Sequence, residues 1–368
     1  MALANGSLGE PRCRRRTVPA SIAVRFSSVS DASPAKRLVG TIVRGDSALD
    51  RLHESGAFMS NAHLGAYNYR LVNVFAERPF AGKPVAVFTD ATGLSDAAMA
   101  AIARELNLPQ CAFVFPPSDE TVLSGGARAR VRVFSPTVEL PRAGLPSIAT
   151  VFALELDARG AVSSRPSPRP GRVVLEQSSG PISVSGFAPV LTVRGELPTF
   201  GGVYPERETV AALLSITPQD LVPAPLMAVS SQVPYLVVPV TGRDVLDRVE
   251  LRSSIWDRTV RRFEAPNLLV YSTAGSQGAA LAHLRVFTPA LGVWEEPASE
   301  HACAPLLGYL LRHGLVTLPE NTSVTFRQGD YLGRPSTLHT AVTHAGGQIV
   351  DLRVGGQCIS VGEGVFYA

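Results

Sequence analysis

Lysine is almost missing from this chain of 368 residues. Of its 34 basic residues only Lys36 and Lys83 are lysines, and the other 32 are arginines. That bias reads as codon usage in a GC-rich genome rather than as a function. Cysteine is scarce too: Cys13, Cys111, Cys303 and Cys358. None form a Cys-x-x-Cys pair or stand beside a His at zinc-finger spacing, so a disulfide framework and a structural zinc site are excluded. A reduced, cytoplasmic protein is the expectation. No run of about 18 apolar residues exists, and no transmembrane helix is expected. A phosphate-binding glycine loop, a metal-ligand cluster and a Ser/His/Asp order are also missing, so NTPase and hydrolase readings fall away.

The net charge of +3 misleads. Residues 1–58 hold nine of the 34 basic and five of the 31 acidic residues, leaving 25 and 26 for the remainder, one net negative. The globular part therefore offers no excess positive field, and neither nucleic acid nor an anionic membrane is an expected partner. With 45% apolar and 18% charged residues the chain can bury a core. Its length allows about two domains.

What the chain does have is a repeated phrase. Arg132-Val133-Phe134-Ser135-Pro136 returns as Arg285-Val286-Phe287-Thr288-Pro289, 153 residues later. Each copy is followed by a turn and an apolar helical stretch, one from Leu145 to Leu156 and one from His301 to Leu311. A period this long is not a solenoid. It predicts two similar halves with a site in the cleft between them. The expected fold class is α+β: two pseudo-symmetric domains, each a curled, mostly antiparallel sheet around a central buried helix.

Residues 1–58 are set apart. Their first 40 residues are rich in Arg, Ser and Ala and resemble an organelle transit peptide. Two other readings stay open: upstream sequence read through before a start at Met59, and a disordered extension. The expected domains are 67–185 and 188–368, with the joint near Gly186–Pro198. Ser95 should cap a helix over 96–106, and a capped helix is expected after Thr217-Pro218. Helices over 146–156 and 303–312 should be buried, each with a Pro in its first turn, where a missing N–H costs nothing. Gly160–Gly171 reads as a surface loop. Strands are expected at 69–75, 84–89, 111–115, 129–134, 235–240, 267–272 and 284–287.

Four ordered motifs resemble the PhzF-like family. They are Phe80-Ala-Gly-Lys-Pro-Val-Ala-Val87, Ile102-Ala-Arg-Glu-Leu-Asn107, Glu139-Leu-Pro-Arg-Ala-Gly-Leu-Pro146 and Gln328-Gly-x-x-x-Gly-Arg-Pro-Ser336. Glu295-Glu-Pro-Ala-Ser-Glu-His-Ala302 is similar to the family's Glu-Asp-Pro-Ala-Thr-Gly-Ser-Ala. The resemblance covers about residues 69–368. It implies the diaminopimelate epimerase fold and proton transfer on a small carboxylic acid without a cofactor or metal. The departures fall on the site. Gln110 stands where the family has its catalytic Glu, Leu145 where it has His, Glu296 where it has Asp, His301 where it has Ser, Glu300 where it has Gly, and Lys83 where it has Asn. An amide cannot act as a base.

His301 starts a buried helix, where an imidazole suits general-base work or simply caps the helix. Glu296 keeps the family's acidic position, and Glu300 reads as a second acid–base group or a capping carboxylate. Lys83, the only lysine after residue 36, could bind a substrate carboxylate or be a solvated loop residue. Cys111 and Cys303 read as small buried residues more readily than as a catalytic pair. Free N–H groups at the two helix starts, Gly144, Leu145 and Ser147 in one and Ser299, Glu300 and Ala302 in the other, could hold a carboxylate. The expected function is an isomerase shifting a double bond in a specialised biosynthetic pathway, with His301, Glu296 and Gln110 catalytic. The alternative is a cleft that binds without turnover, or a lyase or cyclase. A homodimer is left open.

A chain shortened to begin at Met59 is expected to unfold at the same temperature as the full chain. A drop of several degrees in scanning calorimetry would show that residues 1–58 pack on the remainder.

Overall fold

The computed structural model describes residues 64–119, 126–158, 171–187, 190–275 and 280–368. The segment 1–58 and the loop expected over Gly160–Gly171, Gly171 itself excepted, lie outside them. Elements are numbered over the described residues. The first half contains β1 (Ala66–Val74), β2 (Lys83–Phe88), α1 (Asp96–Leu106), β3 (Gln110–Phe115), β4 (Ala129–Phe134), β5 (Glu139–Leu140), α2 (Gly144–Asp157), β6 (Gly171–Gln177), β7 (Gly180–Phe187) and β8 (Val190–Arg194). The second contains β9 (Thr199–Val203), α3 (Arg207–Leu213), β10 (Met227–Ser230), β11 (Pro234–Pro239), α4 (Arg243–Arg248), α5 (Ser253–Arg258), β12 (Asn267–Ser272), β13 (Ala282–Thr288), β14 (Val293–Glu296), α6 (Cys303–Arg312), β15 (Asn321–Gln328), β16 (Ser336–Ala345) and β17 (Gln348–Tyr367).

In the first half β1 pairs antiparallel with β2, β2 parallel with β3, β3 antiparallel with β4, β4 parallel with β6, and β6, β7 and β8 follow antiparallel. β17 pairs with both β8 and β1 and closes the ring. Helix α2 runs inside it, touching β1, β2, β3, β7, β8 and β17. It has no polar face: residues 145–153 are all buried. A helix apolar all round has nowhere else to go. Strand alternation then sorts the side chains. Val85, Val87, Ala112 and Val114 face α2, while Ala86, Phe88, Cys111 and Phe113 face a second cluster under α1. That outer helix is amphipathic and capped as expected, with Ser95 accepting the Ala98 N–H at 3.2 Å and Asn107 left-handed at its end.

The second half repeats the order of pairings. β10, β11, β12, β13, β15, β16 and β17 pair in turn as antiparallel, parallel, antiparallel, parallel, antiparallel and antiparallel. This half stays open, because β9 pairs with β10 but not with β17. Helix α6 lies against β10, β11 and β17 and is buried from Cys303 to Leu310. The capped helix expected after Thr217 is only a turn of Pro218–Asp220. The capping box forms, but Pro223 and Pro225 follow at once and deny the N–H groups that a longer helix needs. The outer layer of this half is built instead by α3, α4 and α5 over Leu236, Leu268 and Phe287.

The repeated phrase has one structural meaning in both places. Arg132 grips Glu139 with two hydrogen bonds, at 2.8 and 2.7 Å, and Arg285 grips Glu295 at 2.9 and 2.8 Å. Each guanidinium also stacks on the Phe two residues on, at 5.3 Å over Phe134 and 5.1 Å over Phe287. The Arg thus ties its strand to the short strand that leads into the buried helix.

The halves are not separate bodies. Ser60–Ala368 is one compact unit, and one apolar cluster holds residues of both α2 and α6. All seventeen strands join one hydrogen-bonded network through the 20-residue β17. Gly355 pairs with His339 on one side and Thr192 on the other. A Cβ there would lie 1.9 Å from the Leu191 carbonyl oxygen, so only glycine allows the stitch. Ser185, Gly186 and Phe187 pair with Thr192, Leu191 and Val190 in the β7–β8 hairpin, and Gly195–Pro198 links β8 to β9. No helix among the described residues is long and apolar enough to cross a membrane.

The two Arg–Glu pairs differ in burial: the side chains of Arg285 and Glu295 are 5% and 7% exposed, those of Arg132 and Glu139 25% and 34%. Glu295→Gln strands a buried guanidinium and should cost about 3–5 kcal/mol in urea unfolding. Glu139→Gln should cost about 1 kcal/mol or less. Equal losses would contradict this account.

Candidate active site

The starts of both buried helices are set by a glutamine. Gln177 ends β6, and its amide accepts the Ala143 N–H at 3.1 Å while donating to the Ala143 carbonyl at 3.2 Å and to Ser147 Oγ at 2.9 Å. Gln328 ends β15, accepts the Ser299 N–H at 3.1 Å and donates to the Glu296 carbonyl at 2.7 Å. Both are buried. A side-chain amide both donates and accepts, so it can close a turn that no capping residue closes. Tyr235 adds a hydroxyl contact to Ser299 Oγ at 3.1 Å. Gln177 and Tyr235 escape the sequence reading. The signal for Gln177 was its place 151 residues before Gln328, close to the period of the Arg-Val-Phe repeat.

Two family-like motifs meet at the same place. Gly82, at φ +66°, sits where a Cβ would lie 2.2 Å from the Val74 carbonyl oxygen. Arg334 donates to the Gly82 carbonyl at 2.7 Å and to the Ala81 carbonyl at 3.2 Å. The 328–336 loop of one half therefore holds the 80–83 loop of the other. That loop delivers Lys83 to Glu296, with which it forms a buried ion pair between β2 and β14. Burial works against the Lys83 charge, but Glu296 and Glu300 outweigh it and the pKa is raised.

Glu300 lies in the turn before α6, yet its partner is in the other half. Its Oε1 accepts the Leu145 N–H of α2 at 3.2 Å and stands 3.5 Å from His301 Nε2. Burial alone would raise the Glu300 pKa. His301, Lys83, its own N–H and that of Leu145 prevail, and the pKa is lowered. Gly144 makes room: a Cβ there would lie 3.7 Å from Glu300 Oε1 and 3.2 Å from Val193. The carboxylate thus occupies the positive end of a helix, where an anion is favoured.

A cleft opens between the halves, with Arg142, Gly144, Arg194 and Glu196 on one side and Ser231, Gln232, Glu300 and His301 on the other. Among the expected site residues it brings together Gly144, Glu300 and His301, and the His301 side chain is 27% exposed there. Lys83 and Glu296 are close to Glu300 but are not part of the cleft lining. Leu145 contributes its N–H, while its side chain is core. Gln110 opens β3 opposite Val85 and alternates with Ala112 and Val114 on the α2 side, so it shares the inner face with Lys83. Its amide oxygen is buried and has no hydrogen-bond partner, and it is not part of the cleft lining.

Ser147 and Ser299 are buried, with their hydroxyls spent on Ala143, Gln177 and Tyr235. The backbone N–H groups expected to hold a ligand are largely taken: Leu145 by Glu300, Ser299 by Gln328 and Ala302 by the Ser299 carbonyl. Cys111 and Cys303 are buried, and burial pushes both thiols up to about 12, which leaves no thiolate for chemistry near neutral pH.

Because the Glu300 pKa is lowered from its ordinary 4.5, its ionised form stabilises the fold above that pH and the contribution is lost as pH falls through the folded value. Wild type should therefore exceed Glu300→Gln in stability near neutral pH, and the gap should close as pH falls below 4.5. A gap that is constant or widens toward acid in pH-dependent urea unfolding would refute the assignment.

The sequence profile described as phenazine biosynthesis-like protein matches residues 72–364. An uncharacterized isomerase of Mesorhizobium japonicum is 29% identical over 313 residues, covering 82% of this chain and 98% of that protein. The trans-2,3-dihydro-3-hydroxyanthranilate isomerase of Pseudomonas fluorescens is 29% identical over 303 residues, covering 81% and 98%. A phenazine biosynthesis protein of the PhzF family from Bacillus anthracis, of solved structure, superposes with a TM-score of 0.71 at 19% identity, over 82% of this chain and 99% of that one. That likeness bears on the fold. The profile covers most of the chain: the protein is an isomerase and belongs to the phenazine biosynthesis-like family.

Proposed function

We propose that the cleft moves a proton, and with it a double bond, on a small carboxylic acid of a specialised biosynthetic pathway, without a cofactor. One observation carries the reading: an imidazole faces the cleft with a buried, ionised carboxylate 3.5 Å behind it. His301 takes the proton, and Glu300 orients the ring and stabilises the imidazolium that forms. Glu296 lies outside the cleft lining; paired to Lys83, it holds that cation beside Glu300. The same pair ties β2 to β14 and keeps the two helix starts in register. Gln110 lies on the inner face, outside the cleft lining, with its amide oxygen unpartnered.

We also read the halves as pseudo-symmetric domains, 67–185 and 188–368, with the joint near Gly186–Pro198. The repeated pairing order, the two Arg–Glu–Phe units and the two glutamine clamps support this.

The substrate of the named relatives is the first compound to try. In D2O, wild type should introduce deuterium into trans-2,3-dihydro-3-hydroxyanthranilate, and His301→Ala should slow this by about 10²–10⁴-fold, the contribution of a positioned base. Equal incorporation by both would remove His301 from the role.

A further inference from the structure

We infer that Arg142 holds the ligand's carboxylate in this cleft, in place of the helix start that Glu300 occupies. The inference rests on the acid-binding reading above and adds to it the residue that recognises the acid.

The start of α2 is the obvious anion site, and it is filled. The Leu145 N–H is bound to Glu300, and the carboxylate there stays ionised. A second carboxylate brought to the same spot would meet a like charge in a partly dry setting, where repulsion is poorly screened. The ligand's anion needs another partner.

Arg142 supplies one. It stands on the turn between β5 and α2, two residues before Gly144, and lines the same cleft in a half-buried position. Among the described residues it forms no ion pair or side-chain hydrogen bond. The other charged groups of the lining are engaged. Arg194 pairs with Asp351 at 2.9 Å, Glu196 accepts from Gln232 Nε2 at 2.7 Å, and Glu300 faces His301. Arg142 is therefore the uncompensated cation of the cleft, and a half-buried guanidinium gains most from a bound anion. Its planar fork matches a carboxylate with two parallel hydrogen bonds. Gly144, whose Cβ position would lie 3.7 Å from Glu300 Oε1, lines the cleft together with Arg142 and Glu300. An acid held at Arg142 would extend toward His301, where the proton moves.

The probes are anthranilate, which carries the ring and carboxylate of the relatives' substrate name, and anthranilamide, which lacks the charge. In calorimetric titration wild type should bind the acid at least about tenfold more tightly than the amide. Arg142→Met should weaken the acid by about 10–100-fold and leave the amide unchanged, with Arg142→Lys between the two. Melting of the unliganded variants shows whether each is folded, and Arg142→Lys serves if Arg142→Met is not. Anthranilate binding that is equal in wild type and Arg142→Met overturns the inference, and so does no anthranilate binding by wild type. Either result leaves the isomerase reading standing if deuterium incorporation persists. Loss of incorporation with Arg142-dependent binding intact would sink that reading instead.

Discussion

A carboxylate from one half of the chain sits on the backbone of the other half's buried helix. Glu300 reaches from the turn before α6 to the Leu145 N–H of α2, and the site is arranged around that contact. It fixes the approach of the two helix starts. It holds a negative charge where the helix dipole favours one. It places His301 at the mouth of the cleft, with a charge behind it. Lys83 makes the arrangement tolerable, since two buried acids close together would otherwise compete for protons.

Charged groups this far inside a protein are costly unless each is paired and hydrogen-bonded. Here the pairing runs across the halves. Lys83 comes from β2, Glu296 from β14, Glu300 from the turn before α6 and Leu145 from α2. The backbone supports the same connection through β17, which pairs with β16 and then with β8 and β1. The halves are joined by these specific contacts and by the apolar cluster that both buried helices share. This also explains why a ligand's carboxylate should look to Arg142: the interior positive positions are already matched.

Leu145, Glu300 and His301 meet around the two helix starts. The leucine side chain withdraws into the core, and the space before α2 is taken by the glutamate. Gln110 remains the outlier, an amide on the inner face with an unpartnered oxygen.

The sequence by itself determined the local elements and the repeated Arg-Val-Phe unit. Apolar periodicity with a Ser cap defines α1, and helices apolar all round must be buried wherever they fall, as α2 and α6 are. The Arg-Val-Phe repeat is legible because one device, an Arg gripping a Glu and stacking on a Phe, needs the same spacing twice. Tertiary structure alone decided the pairings between residues far apart in sequence. Nothing local tells Lys83 that its partner is Glu296, 213 residues on, or Glu300 that its partner is the Leu145 backbone, 155 residues back. The same holds for Gln177, whose role appears only when β6 passes under the start of α2. Such contacts depend on how strands curl around a helix, and periodicity along the chain carries no record of that closure.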